Sequence, residues 1–228
     1  MQNQNSNITK AGRHVDQIGW DKVLTQQEQQ QVRDYLDSMD ETDPQNRQIK
    51  LIYELMIKTG LRMGELAMLR LRDCPAYLGV EAISVWRGKG NKDRTIPISS
   101  RLRKELQLYI DDIRPKTMPR WARKDIGRPV FYNFKGRPYL HVSEKTREIR
   151  GSTTLYRMIK TIGQDTGLAK QMHPHMLRHT FAVNALRNGV DIYMLMALMG
   201  HTSILMTARY LHLAGVQMKG LGEVLDRE

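Results

Sequence analysis

Apolar residues recur at helical spacing along most of the chain, so the predicted elements are mainly helices. Thr25 and Glu28 form a capping-box pattern that opens a first helix, whose apolar stripe contains Val32, Tyr35, Leu36 and Met39. A second helix passes through residues 51–56 and ends at Gly60. A short helical stretch begins at Arg62, which is therefore predicted at a junction between two helices.

An alternating pattern between residues 80 and 98 interrupts the helices and predicts a β-hairpin. Ile83 and Val85 share one face of the first strand, over residues 80–87, and residues 95–98 form the second strand. The polar turn between them, residues 88–93, contains Lys89 and Lys92. Helical spacing returns over residues 101–113, so a basic hairpin tip is predicted between helical segments.

The last third of the chain is again helical in pattern. Helices are predicted over residues 155–166, over residues 177–186 with Gly189 as the end, and from an Asp191 cap to Gly200. The predicted fold is mainly α with a small antiparallel β-sheet, in the α+β class. Residues 1–20 are expected to form a flexible polar leader, and residues 21–228 a single domain.

The net charge of +12 and a pI near 9.9 favour a polyanionic partner, although a net charge does not say how the charges are distributed. Cys74 is the only cysteine in the sequence, which excludes an internal disulfide and fits a reducing compartment. The sequence contains neither a signal-peptide pattern nor an apolar stretch of membrane-spanning length. We therefore expect a cytoplasmic protein that does not bind membranes.

The segment over residues 114–137 is strongly basic, with eight Lys or Arg residues against the single acid Asp125 and aromatic residues between them. This composition suits a track for DNA phosphates. The alternative is a solvated basic loop followed by a strand over residues 130–134. The predicted DNA contacts in the hairpin and in this segment are Lys92, Arg94, Arg120, Arg123 and Lys124.

The most informative residues lie near the C-terminus. His175 and Arg178 are three apart on a predicted helix, so both side chains lie on one face and can hold a phosphate, which Tyr210 could attack. Taken alone, Tyr210 could equally be a half-buried structural aromatic. His175 and His179 have the four-residue spacing of zinc ligands, but Met176 stands where a metalloprotease needs glutamate and no third ligand is evident.

Considered together, these residues supply what displacement at a phosphodiester needs: a nucleophile, a proton donor for the leaving oxygen and cations around the other oxygens. Arg62 and Arg178 suit the cationic role because a guanidinium keeps its charge and can bind two oxygens at once. A lysine on the hairpin tip could protonate a departing 5′-oxygen. Tyr210 would need its proton removed or its developing charge stabilised.

Five segments, in this order, resemble the catalytic motifs of the tyrosine recombinases, the lambda-integrase-like (phage integrase) family that includes the Xer and fimbrial-switch recombinases. They are residues 59–66, 88–92, 173–182, 198–201 and 207–210. The resemblance extends from about Leu24 to Tyr210 and implies the catalytic-domain fold of DNA breaking-rejoining enzymes. It implies a site-specific recombinase that needs no metal or nucleotide cofactor, with the catalytic residues Arg62, Lys89, His175, Arg178, His201 and Tyr210.

The resemblance also implies a role for each residue. Tyr210 would form a 3′-phosphotyrosyl bond and release a 5′-hydroxyl, while Arg62 and Arg178 clamp the phosphate. Lys89 would be the general acid, with Lys92 as the alternative in the same turn. The remaining roles are proton transfer at the nucleophile by His175, a hydrogen bond to a phosphate oxygen from His201, and a supporting role for Glu65.

Double-stranded DNA sites are the implied partner, with a homotetramer on DNA. An N-terminal core-binding domain, which most of the family carries, is expected to be missing, so an accessory protein could supply additional contacts with the DNA. The tail over residues 211–228 could pack on a neighbouring protomer or on its own chain. Two other classes stay open, a non-catalytic DNA-binding regulator and a topoisomerase-like relaxing enzyme. Integration, excision, inversion and resolution are not distinguished.

Overall fold

The computed structural model describes residues 17–86, 93–142 and 149–215. Its helices are α1 Gln26–Asp37, α2 Pro44–Thr59, α3 Met63–Met68, α4 Pro75–Leu78, α5 Ser100–Leu108, α6 Arg114–Thr117, α7 Thr153–Asp165, α8 Pro174–Arg187, α9 Ile192–Met199, α10 Ile204–Ala208 and α11 Leu211–Ala214. Its strands are β1 Ala82–Val85, β2 Arg94–Pro97, β3 Leu140–Val142 and β4 Ile149–Gly151. No helix in these ranges is long and apolar enough to cross a membrane.

The predicted helix boundaries near the N-terminus are confirmed. The Thr25 hydroxyl accepts from the Glu28 N–H at 3.2 Å, and the Glu28 carboxylate accepts from the Thr25 N–H at 2.8 Å, which fixes the start of α1. Helix α2 ends at Gly60, whose φ of 63° is left-handed. Arg62 caps α3, so it lies at the predicted junction between two helices.

The predicted hairpin is confirmed as an antiparallel pair of β1 and β2, in which Ile83 lies opposite Ile96. Most of its turn, residues 87–92 with Lys89 and Lys92, lies outside the described residues. A second antiparallel pair, β3 with β4, was not predicted because three-residue strands are too short for a visible alternation. The fold class is nevertheless the predicted one, mainly α with small antiparallel sheets.

The strand considered over residues 130–134 is wrong. This part of the chain makes only isolated bridges, between Arg70 and Pro129 and between Tyr132 and Pro138. A proline has no N–H to donate, so the prolines in both bridges prevent a longer ladder. The segment is instead held by Arg114, whose buried guanidinium donates to the carbonyl oxygens of Arg123 and Pro129.

The apolar interior forms two clusters. The main cluster joins α1, α2, α3, the first hairpin, α5 and α7, with Ile52, Leu55 and Ile96 among its fully buried members. The C-terminal cluster joins the second half of α8 to α9 and α11, and includes Leu195, Tyr210 and Leu213. Helix α8 contributes to both clusters, so the residues of its first half lie where they meet.

The C-terminal cluster also includes a residue that was predicted in the flexible leader. Ile18 is buried there, and its carbonyl accepts a hydrogen bond from Nε2 of His212 at 2.9 Å. The Trp20 ring lies under the Arg187 guanidinium, 5.4 Å from its carbon. Packing therefore begins at least seven residues before the cap of α1, because Ile18 and Val23 both contribute apolar side chains to the cluster.

Candidate active site

Arg178 is 4% exposed and lies on α8 between the two clusters. Its guanidinium donates to the carbonyl oxygens of Gly60 and Met199. These residues lie at the C-terminal ends of α2 and α9, where helix carbonyls lack partners within their own helix and favour a cation. Burial and the charge of Arg62 lower the pKa of Arg178 to about 10, so it stays charged at neutral pH.

Arg62 and Glu65 form a second part of the site. The Glu65 carboxylate accepts from the Arg62 guanidinium and from the Arg62 N–H, each at 2.8 Å. It also accepts two bonds from Arg94, at 2.7 and 3.0 Å. Burial acts to raise the pKa of Glu65, but the hydrogen bonds and charge of Arg94, together with Arg62, hold it at about 2. Glu65 is therefore an anion that braces both arginines.

Arg94 opens β2 and also donates through Nε to the carbonyl of Leu198 at 2.7 Å. It therefore connects the hairpin, Glu65 on α3 and the end of α9. Its side chain is almost fully buried, so its polar contacts here are with protein groups. A DNA contact by Arg94 stays a prediction, and the bracing contact was not predicted because no local sequence pattern pairs residues 65 and 94.

Tyr210 lies between α10 and α11 and is 3% exposed. Its hydroxyl oxygen is 2.8 Å from Nδ1 of His179, and the two rings are 5.7 Å apart. Burial raises the pKa of Tyr210, and the charges of Arg178, Arg209 and Arg62 act in the opposite direction. The hydroxyl is therefore protonated at rest, close to the arginines that would bind a phosphate.

His201 follows the left-handed Gly200 that ends α9. Its Nδ1 lies 2.9 Å from the Thr207 hydroxyl, and its ring is nearly parallel to Tyr210 at 6.5 Å. Burial, followed by the charges of Arg178 and Arg62, lowers the pKa of His201 to about 4. His201 is therefore a neutral imidazole beside Tyr210.

His175 occupies a different position from the one expected of a group that acts on the nucleophile. It is exposed on the first turn of α8, and its ring lies 6.4 Å from the ring of His179. Loss of surrounding water and the charges of Arg178 and Arg62 lower its pKa. Among the described residues, the side chain that hydrogen-bonds to the Tyr210 hydroxyl is His179. In the sequence, His179 stood out only by its four-residue spacing from His175, a zinc-ligand spacing for which no third ligand is evident.

The structure thus brings together six of the seven predicted active-site residues, namely Arg62, Glu65, His175, Arg178, His201 and Tyr210. Lys89 lies outside the described residues, as does Lys92. The predicted DNA contacts Arg120, Arg123 and Lys124 are exposed. They are close to Trp121 in the sequence; Trp121 is 71% exposed, and the Arg128 guanidinium lies over its ring at 4.8 Å.

Residues 22–215 match the model of the Phage integrase family, and the chain belongs to that family. Among curated proteins it is similar to tyrosine recombinase XerD of Listeria monocytogenes serotype 4b, with 31% identity over 189 residues. That match covers 82% of this chain and 58% of the relative. The chain therefore spans just over half the length of such relatives.

Solved structures have the same fold. A crystal structure of XerA recombinase matches with a TM-score of 0.65 and 28% identity, over 90% of this chain and 65% of that chain. A crystal structure of XerH site-specific recombinase bound to its difH substrate matches with a TM-score of 0.67 over 90% of this chain and 54% of that chain. Its 21% identity supports likeness of fold alone.

Proposed function

We propose that this chain is the catalytic part of a site-specific tyrosine recombinase, which cleaves and rejoins DNA through a 3′-phosphotyrosyl intermediate. The observation that supports this most is the buried Tyr210 hydroxyl, which lies within the fields of Arg62, Arg178 and Arg209. Each of these cations stabilises negative charge where a phosphate would be attacked. The similarity to proteins named tyrosine recombinase XerD supports the same reaction.

In this proposal each residue of the site has its own role. Arg62 and Arg178 bind the non-bridging oxygens of the scissile phosphate, and Glu65 fixes the direction of the Arg62 guanidinium. His201 donates through Nε2 to a phosphate oxygen, since its Nδ1 is occupied by Thr207. Lys89, the predicted acid, protonates the departing 5′-oxygen. The energy of the broken bond is kept in the phosphotyrosine, so resealing needs no ATP.

The partner in this proposal is duplex DNA, because the net charge of +12 and the exposed cations near Trp121 suit a polyanion. Phosphate contacts make binding depend steeply on salt, which a titration of ionic strength would measure. A homotetramer on paired sites, an accessory DNA-binding protein and a cytoplasmic location are parts of the proposal. The division of the chain into a leader, residues 1–20, and a catalytic domain, residues 21–228, is also part of the proposal, with the leader packed on the domain from Ile18 onward.

The test is an SDS-resistant adduct assay on nicked duplexes tiled across the DNA that flanks the gene. We expect wild type to form a covalent protein–DNA adduct on at least one duplex, and Tyr210→Phe to bind that duplex without forming an adduct. Tyr193→Phe is the matched control, because Tyr193 is 66% exposed on α9. It should form the adduct at the wild-type level.

Two results would overturn the proposal in different ways. Tight binding without an adduct on any duplex would indicate a DNA-binding regulator. Relaxation of supercoiled plasmids of unrelated sequence by wild-type monomer would indicate a topoisomerase-like enzyme, which shares the tyrosine chemistry and needs no exchange between protomers.

A further inference from the structure

Among the residues that the structure describes, one side chain forms a hydrogen bond with the Tyr210 hydroxyl and can take its proton directly. Nδ1 of His179 lies 2.8 Å from the hydroxyl oxygen, within the range required of a general base. The other ring beside Tyr210 is that of His201, whose Nδ1 is engaged by Thr207. His175 is one helical turn before His179, exposed, and among the described residues it makes no hydrogen bond to Tyr210.

We propose that His179 is a further catalytic residue, the general base that removes the proton of Tyr210 as this tyrosine attacks the DNA phosphate. The inference rests on the proposed recombinase function. It assigns to His179 the contact with the nucleophile that the family resemblance implies for His175. The exposed position of His175 suits contact with DNA or solvent instead.

The protonation state of His179 fits this role. Burial, with the positive charges of its neighbours, lowers its pKa to about 4, so the ring is neutral at pH 7. In the tautomer with the proton on Nε2, a neutral imidazole accepts the phenolic hydrogen at Nδ1. The charged or titratable groups around it are His173, His175, Arg178, His201, Arg209 and Tyr210.

DNA would strengthen this base. Burial is the largest cause of the low pKa of His179; the neighbouring groups that lower it further are cations or become cations, and a bound phosphate offsets their contribution. An offset field raises the pKa of His179 toward neutrality, where a base at working pH is most effective. The free protein therefore keeps Tyr210 and His179 in a neutral hydrogen bond, and the substrate's own charge prepares the proton transfer.

The step balances as follows. The Tyr210 oxygen forms a bond to phosphorus, the bond between phosphorus and the 5′-oxygen breaks, and the phenolic proton moves to Nδ1 of His179. The 5′-oxygen leaves with a proton from the acid predicted at Lys89. On resealing, a 5′-hydroxyl attacks phosphorus and gives its proton back to the group predicted at Lys89, the bond between phosphorus and the Tyr210 oxygen breaks, and that oxygen recovers its proton from His179.

The test separates the base from the acid by changing the leaving group. Single-turnover cleavage is measured on two versions of the duplex that gives the wild-type adduct, one with the normal 5′-oxygen and one with sulfur at that position. A thiol has a pKa of about 8.5, so sulfur leaves as a thiolate and needs no acid. His179→Asn keeps a hydrogen-bond acceptor near the place of Nδ1 but cannot take up a proton at neutral pH.

We expect His179→Asn to cleave both duplexes about 10²-fold or more slowly than wild type, without rescue by sulfur. His175→Asn, one turn away, is the matched control and should lose less on the sulfur duplex. In His179→Ala, added imidazole should restore part of the rate, which a purely structural role would not allow. Gel-shift binding of the same duplex shows that each variant is folded.

Two outcomes would overturn the inference. If folded His179→Asn cleaves the sulfur duplex at the wild-type rate, His179 is not the base that takes the proton of Tyr210. A loss in His175→Asn that equals or exceeds that of His179→Asn on this duplex would assign the base to His175. Either result leaves the recombinase proposal standing as long as wild type forms a Tyr210-dependent adduct, whereas failure of wild type would refute that proposal itself.

Discussion

The two sides of the candidate site are built differently. On the clamp side, Arg62 and Glu65 lie at the start of α3, which follows the end of α2, and Arg178 lies in the first half of α8. Several charge-assisted hydrogen bonds join these side chains to each other and to the end of α2, and α2 and α8 have 16 and 14 residues. The nucleophile side places Tyr210 between α10 and α11, which have five and four residues. The Tyr210 hydroxyl forms a hydrogen bond with Nδ1 of His179.

The difference has a physical meaning for the proposed reaction. A clamp of arginines must face the phosphate before charge develops, so a preorganised network favours the transition state. A tyrosine that must reach the phosphorus and then stay bonded to a DNA strand has to move, and fewer hydrogen bonds to the rest of the protein allow that movement. Short helices with few hydrogen bonds open locally at low free energy, and we expect the nucleophile side to open more readily than the clamp side.

Arg178→Ala should have the largest effect, because it removes a transition-state cation. We expect single-turnover cleavage to fall about 10³-fold or more. Arg187→Ala is the matched control on the same helix, since Arg187 bonds to the Leu213 carbonyl on the nucleophile side. It should cleave near the wild-type rate, and normal cleavage by Arg178→Ala would contradict this active site.

Glu65→Gln should lower the free energy of unfolding, because the clamp loses its anion. It leaves the buried Arg94 without its anion, and breaking such a pair costs on the order of 3–5 kcal/mol. Urea denaturation measures this loss. Glu105→Gln removes an exposed pair with Arg101 and should cost under about 1 kcal/mol. Equal losses in the two variants would show that the Glu65 network does not stabilise the fold.

The dependence of the unfolding free energy on acidic pH tests the same network in a second way. Because the pKa of Glu65 falls from 4.5 to about 2 on folding, its stabilising contribution is complete above pH 4.5 and is lost as the pH falls toward 2. Wild type should therefore lose more unfolding free energy across this range than Glu65→Gln. Parallel curves for the two proteins would contradict the assignment.

Gly60→Ala tests the turn on which the clamp depends. Gly60 and Gly79 both have left-handed φ values, 63° and 69°, and a methyl group at Gly79 meets open space. At Gly60 it would overlap the ring of Phe181. We expect Gly60→Ala to lose about 1–3 kcal/mol more unfolding free energy than Gly79→Ala. Equal losses would mean that α2 and α8 can shift apart at this contact without lowering the free energy of unfolding.

His212→Ala should have the smallest effect and acts on the nucleophile side. It removes the hydrogen bond to Ile18, worth about 1 kcal/mol. His212→Gln retains a donor and is the matched control. Hydrogen exchange should quicken in α11 of His212→Ala while α2 and α3 stay unchanged. Faster exchange in α2 as well would show that the two sides open as one unit.

Much of the fold followed from local patterns. The capping box at Thr25, the glycines that end α2 and α9, and the alternation through Ile83 each act within a few residues, so they could be predicted from sequence. The pair of β3 and β4 could not, because three-residue strands depend on tertiary contacts with α3.

The candidate site shows the same limit. Spacing on one helix brought His175 and Arg178 together, and motif order added Arg62, His201 and Tyr210. The Arg94–Glu65 pair and the His179–Tyr210 bond join residues 29 and 31 positions apart, on different elements. The spacing of residues along the sequence does not predict such contacts. They depend on how β2 lies beside α3 and how α8 lies beside the segment that contains Tyr210.

The most direct test of the account is to locate the DNA linkage on the protein. Trypsin cuts after Arg209 and Lys219, so an adduct digested with trypsin and nuclease should leave a nucleotide on the peptide of residues 210–219. Mass spectrometry should place it on Tyr210, the only tyrosine of that peptide. A nucleotide on another residue, such as the exposed Tyr193, would contradict the proposed active site.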